Sequence, residues 1–243
     1  MTDFRLLTSN LIGTISKPTR TADTVYWITA FAMQSGVRLV LPHLQEAIAR
    51  GAEVKILVGD YLFITQPEAL ELLVEHVPQA EIYLYESRGT SFHPKAYLFR
   101  SDAQSHVIVG SSNLSASALT KGVEWSIHAP FTFDKVLFET AVAEFMKLFL
   151  SSITVKVNSE MIAQYKEDYL EANQVVGVSQ VWEPHDEIEV MFVSPAEQEV
   201  IFEESATYAT KQTPLTPRHV QLLVLDSLLQ RREEFFIPRL NPS

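Results

Sequence analysis

The chain has 243 residues, 47% apolar and 20% charged, with a formal net charge of −11, a balance that fits a globular domain with at most a small appendage. It has no cysteine, which excludes disulfides and thiolate metal sites and fits a reducing, cytoplasmic setting. No 18-residue apolar run and no signal-peptide pattern in MTDFRLLTSNLIGT are found, so neither membrane insertion nor secretion is expected.

In chain order, Val25–Ala32 (VYWITAFA) is apolar, aromatic and β-branched, the pattern of a buried strand. Val37–Arg50 carries apolar residues at Val37, Val40, Leu41, Leu44, Ala47 and Ile48, which is helical spacing, and Gly51 stands where such a helix ends. Glu53–Val58 is the next strand. Thr65 is placed to cap a helix with Pro67 in its first turn. Ala80–Tyr85, Lys95–Phe99, His106–Val109 and Glu124–Ala129 are further strands, and Asp134–Leu150 is a long helix. This order predicts an α/β domain with a mixed sheet flanked by helices over residues 1–155. Residues 156–215 follow as a helix (Met161–Ala172), a connection from Asn173 to Pro184, and short strands at Glu187–Phe192 and Val200–Phe202. Residues 211–217 form a polar linker. The last segment, 216–243, centres on a helix from Arg218 to Glu234.

The residues that invite a chemical reading begin in SFHPKAYLFR. His93 and Lys95 stand two apart, so in a strand they project side by side. Each cation disfavours the other unless they share an anion. Singly, each is as well read as a sheet-face histidine and a solvated lysine. After the 106–109 strand comes GSSNLSASAL, in which Gly110 permits a close backbone approach. Ser111, Ser112 and Asn113 lie at the mouth of a short helix, whose free amides can bind an anion. Glu124 follows, a carboxylate able to orient an imidazole and stabilise its charge. Ser112 and Ser115 are read as loop and cap residues. The remaining histidines, His128 among them, are read as core or surface.

This ordered set resembles the phospholipase D superfamily: His93-Pro94-Lys95, then Gly110-Ser111-Ser112-Asn113, then Glu124. It is most similar to the nuclease branch with one such motif per chain, which includes metal-independent restriction endonucleases and helicase-associated nuclease domains. The resemblance covers about residues 20–150 and includes the run ITAFAMQSGVRLVLPHLQEAIARGAEVKILVGD. One departure is that the longer motif of the lipases has an aspartate where this chain has Arg100; Asp102 is nearby but off register. The resemblance implies that His93 attacks phosphorus to form a phosphohistidine, and that His93 of a second chain protonates the leaving oxygen. Lys95, Asn113, Ser111 and the Gly110 backbone would hold the phosphate oxygens. Glu124 would orient a histidine. No metal or cofactor is implied. The substrate would be DNA, and the site would be composite in a two-fold homodimer. Arg88, Tyr61 and Lys121 are candidate DNA contacts.

Charge tempers the DNA reading: residues 1–150 hold 12 basic and 15 acidic residues, while 151–243 hold 7 and 15. Composition alone predicts no basic groove. Two other readings follow: a nucleic-acid-binding module that does not cut, or a phosphodiesterase of lipids or small diesters. The segment PRHVQLLVLDSLLQRREE resembles the stretch before the nucleotide loop of superfamily-two helicases. No G-x-x-x-x-G-K-[ST] occurs, so ATP binding by that route is not expected. The chain is expected to be either the front portion of a longer helicase fusion or a diverged relic of one; otherwise this segment is an amphipathic helix that packs on its own domain or on its dimer mate. A helicase or other partner that gates cleavage is expected with the first reading.

Overall fold

The computed structural model describes residues 4–88, 90–102, 104–131 and 135–175. The short strands predicted at 187–192 and 200–202, the linker at 211–217 and the helicase-like helix lie outside the described residues.

The elements are β1 (Arg5–Leu7), α1 (Leu11–Thr21), β2 (Thr24–Thr29), α2 (Gln34–Ala49), β3 (Glu53–Gly59), a 3₁₀ turn (Tyr61–Phe63), α3 (Pro67–His76), β4 (Glu81–Tyr85), β5 (Lys95–Arg100), β6 (Ser105–Gly110), α4 (Ala116–Leu119), β7 (Ser126–Phe131), α5 (Lys135–Phe149), β8 (Thr154–Lys156) and α6 (Ser159–Val175). The strands form one mixed sheet in the order β1-β7-β6-β5-β2-β3-β4-β8. The centre, β2-β3-β4, is parallel, and every other pairing is antiparallel.

The unbroken apolar run of β2 is explained by burial on both faces, the usual state of a central strand with parallel pairing. Val25 and Trp27 face a core shared with α1, α2, α3 and α6. Tyr26 and Ile28 face the opposite side, where Phe138, Val142, Phe145 and Phe149 of α5 cover the sheet. Aromatic edges lock both layers: Trp27 meets Tyr97 at 5.4 Å and Tyr26 meets Phe145 at 5.4 Å, both in T-shaped contact.

Several details differ from the sequence expectation. β2 stops at Thr29, because Ala32 leaves the sheet to bridge Leu114. β7 starts at Ser126 rather than Glu124. Thr65 is not a cap. Gln66 holds the N-cap position of α3, while the Thr65 hydroxyl donates to Gly59 O at 2.6 Å and accepts from Ala32 N at 3.2 Å. A buried hydroxyl between two strand ends satisfies two backbone groups that would otherwise be orphaned, and that need outweighs capping. β1, α1 and β8 were not predicted.

The strand ends place the candidate site. β2 ends at Thr29, whose register partner is Lys95, the first residue of β5. β6 ends at Gly110, paired with Ser126 at the start of β7. All four lie at the carboxyl end of the parallel strands, where open sheets bind ligands.

Candidate active site

Phe92 anchors the segment before β5: it is buried and stacks on Tyr85 at 4.1 Å. That fixes His93, which is exposed, and Lys95, which is only 5% exposed. Lys95 Nζ lies 2.6 Å from His93 Nδ1, 2.9 Å from Nε2 and 3.1 Å from His93 O. An ammonium can only donate, so the ring nitrogen it meets must carry a lone pair, which keeps the imidazole neutral. Desolvation, and then the Lys95 cation, hold His93 below the ordinary imidazole value. Lys95 is itself lowered by burial, while the Glu124 carboxylate opposes that shift.

Asn113 is buried and belongs to a loop stitched to the end of β2. Its Oδ1 accepts from Thr29 Oγ1 at 3.1 Å and from Phe31 N at 3.4 Å. The Phe31 N–H can only donate, so it sets which end of the amide is oxygen. The amide nitrogen is left as the donor available to a ligand. Met33 N donates to Leu114 O at 2.9 Å, and Leu114 N donates to Thr29 Oγ1 at 3.3 Å. Ser112 presents its carbonyl to Tyr97 Oη at 3.0 Å.

Gly110 permits the turn into this loop. A Cβ there would stand 2.3 Å from Trp125 O and 2.3 Å from Ser126 Oγ. Ser111 N donates to Trp125 O at 3.1 Å, and Trp125 N donates to Ser111 Oγ at 2.9 Å. The Ser111 hydroxyl donates to Glu124 Oε2. Among the described residues Glu124 makes no hydrogen bond to His93 of its own chain, and its electrostatic partner in the site is Lys95. His93, Lys95, Gly110, Ser111, Asn113 and Glu124 thus come from one sheet end, with Lys95 between the histidine and the carboxylate field.

The expected helix-mouth anion site does not form as the sequence reading had it. α4 is only four residues long, and Ser115 is its N-cap. Ala116 N is taken by Ser35 Oγ at 3.1 Å and Ala118 N by Ser115 Oγ at 3.3 Å. A single turn has little dipole, and these amides are occupied, so positive charge at the site comes from Lys95.

Of the candidate DNA contacts, Tyr61 lies edge-on to the His93 ring at 4.9 Å. Arg88 is exposed and ion-paired to Glu86 at 2.6 Å. Lys121 is exposed in the connection between α4 and β7. Sequence reasoning missed Thr29 as the anchor of Asn113; its one signal was a polar residue inside an apolar run. It also missed the contact between His106 Nδ1 and His128 Nε2 at 3.1 Å, which is set by the pairing of β6 with β7 and not by local sequence.

No helix among the described residues is long and apolar enough to cross a membrane. Residues 15–149 match the family model described as cardiolipin synthase, PLD-like domain. Two solved structures resemble this chain: NucT from Helicobacter pylori, and Nuc, a phospholipase D family member from Salmonella typhimurium. Each is 15% identical, with a TM-score of 0.51 over 65% of this chain and 100% of the other. At that identity the likeness concerns the fold. No curated protein matches the chain. With more than half of its length matched by the family model, and with the sheet and strand-end site described above, the chain belongs to the phospholipase D-like family.

Proposed function

We propose that this chain is a metal-independent phosphodiesterase that cleaves DNA. The observation that carries the reading is the pairing of an exposed neutral His93 with a nearly buried Lys95 at 2.6 Å. His93 supplies the lone pair that attacks phosphorus, breaking the bond to one ester oxygen and leaving a phosphohistidine. Lys95 and the Asn113 amide N–H group neutralise the nonbridging oxygens as charge builds in the transition state. Ser111 holds Glu124, whose charge keeps Lys95 protonated. Water then attacks the phosphohistidine and returns His93 to its free form.

One motif per chain leaves no second acid for the leaving oxygen. A second copy supplies its own His93 in that role, which it fills only in its protonated form, so the working unit is a homodimer that holds one neutral and one protonated His93. An apolar row next to the site supports this. Leu6, Ile127 and Val109 are register neighbours across β1, β7 and β6, each at least half exposed, with Trp125 and Val123 beside Glu124. A continuous exposed apolar patch of this kind is typical of an interface. A role in restriction or defence, and gating by a helicase partner, rest on the sequence resemblance alone.

A lipid diester is the second reading, favoured by the family model's description and by the exposed Trp125 and Val123. The test incubates the protein in EDTA with plasmid, with single-stranded DNA and with phosphatidylglycerol vesicles, beside His93→Ala. Cleavage of DNA that His93→Ala abolishes supports the proposal. Hydrolysis of the vesicles alone establishes the second reading. DNA retarded on a gel but never cut would make the chain a binding module.

A further inference from the structure

A cavity of about 340 Å³ opens beside the candidate active site, lined among others by Asp60, Phe63, Arg88, Gln164, Tyr165 and Asp168. The two sites share a segment. Asp60 and Phe63 line the cavity, while Tyr61 between them touches the His93 ring at 4.9 Å. The backbone around the cavity is held out of its relaxed range. Among the described residues, three of the four non-glycine residues at positive φ are Leu62, Phe63 and Arg88. Such conformations persist where the surroundings enforce them, and they concentrate at functional sites.

The walls determine what could bind. Phe63 stacks on Tyr165 at 6.0 Å, with planes 24° apart, and Met161 adds a polarizable apolar surface. A flat, apolar guest fits such a floor. The polar groups are mainly acceptors. Asp60 Oδ1 already accepts from Ser87 N at 3.0 Å, and Glu86 is held by Arg88 at 2.6 Å. Asp168 meets only Gln164 Nε2, at 3.5 Å, and has no ion-pair partner among the described residues. A carboxylate in this position repels phosphate and calls for a guest with adjacent donors. Among the bases, guanine alone presents two neighbouring donors, N1–H and the 2-amino group, on its Watson–Crick edge, and a carboxylate can accept from both. Thymine offers one donor between two acceptors. A cationic side chain is compatible with the charge of this lining, but the Phe63 and Met161 surface suits a flat ring better than a point charge.

We infer that this cavity is a base-binding subsite that takes an unpaired guanine next to the phosphate held by His93 and Lys95. The inference rests on the nuclease reading above. Unstacked bases are read in this way, by an apolar floor and hydrogen bonds to the Watson–Crick edge. Arg88 then faces the backbone of the bound strand.

The test titrates the full chain with dGMP and with dTMP, which share the phosphate and differ in the base, and with an arginine amide as a cationic control. Asp168→Asn is the variant; its side chain is exposed, so the fold is not at risk. The expected result is tighter binding of dGMP than of dTMP, with the variant losing about tenfold for dGMP and nothing for dTMP. Equal affinities, a preference that survives Asp168→Asn, or binding of the arginine amide in place of dGMP would each overturn the subsite. Hydrolysis of bis(p-nitrophenyl) phosphate in EDTA is read in parallel, since it needs the phosphate site and no base. If the wild type does not turn over, the nuclease reading fails, while the nucleotide ratio still decides the subsite.

Discussion

A nucleophilic imidazole must be neutral, and a phosphate site must be positive. In the proposed mechanism Lys95 reconciles the two demands, because a cation placed to grip the anion also disfavours protonation of the adjacent ring. His93 titrates below its ordinary value of 6.5, so the reactive form persists further into acid, and the acid limb of kcat/KM should lie below that value. Lys95→Met removes the cation. The limb should then move upward, while the rate falls by about 10²–10³ from the loss of one stabilising charge. A pH–rate series on both proteins checks this, and an unmoved limb would show that Lys95 does not tune His93. The His106–His128 pair makes a separate prediction about stability. His128 is held down to about 4 by burial, then by His106 and Arg5. The unfolded chain binds that proton near 6.5, so as pH falls from there to about 4 the unfolded state is increasingly favoured, and the loss is complete below. Urea midpoints measured across that window should decline less steeply in His128→Gln than in the wild type.

Among the elements, the parallel unit β2-α2-β3-α3-β4 was legible because long apolar periods and end signals agree within it. α2 repeats its apolar residues at helical spacing, and β2 is apolar on both faces. α1 was not legible. It contains Pro18, begins at Asn10 in a left-handed conformation without a side-chain cap bond, and buries only Leu11, Ile15, Pro18 and Thr19. β1 and β8, of three residues each, exist only through their partners β7 and β4. The candidate site was legible as a residue set because each member needs a particular chemistry. The supporting links, such as Thr29 to Asn113, were not, since they join residues 84 apart. One tight joint is α2 against the Asn113 loop. A Cβ on Gly36 would stand 2.3 Å from Leu114 O, a backbone atom that cannot rotate away. Gly36→Ala should therefore cost about 1–3 kcal/mol, read by urea unfolding, and should also lower activity by displacing Asn113.

For the whole molecule, the reading requires two copies. If the exposed row of Leu6, Ile127 and Val109 is the contact, Ile127→Asp should yield a folded monomer in sedimentation, with DNA cleavage lost. A folded, fully active monomer would remove the need for a second His93. The −11 net charge limits affinity for the DNA backbone, and few phosphate contacts release few counterions, so cleavage should fall only shallowly as salt rises. At the centre of the proposed mechanism is a covalent bond from His93 to phosphorus. Each in-line displacement inverts the configuration at phosphorus, so two successive displacements restore it. The decisive measurement is therefore cleavage, in ¹⁸O-labelled water and EDTA, of an oligonucleotide carrying one stereochemically pure phosphorothioate linkage. Retention of configuration is predicted, with the label entering the product once. Inversion would mean that water attacks directly and would contradict His93 as the nucleophile.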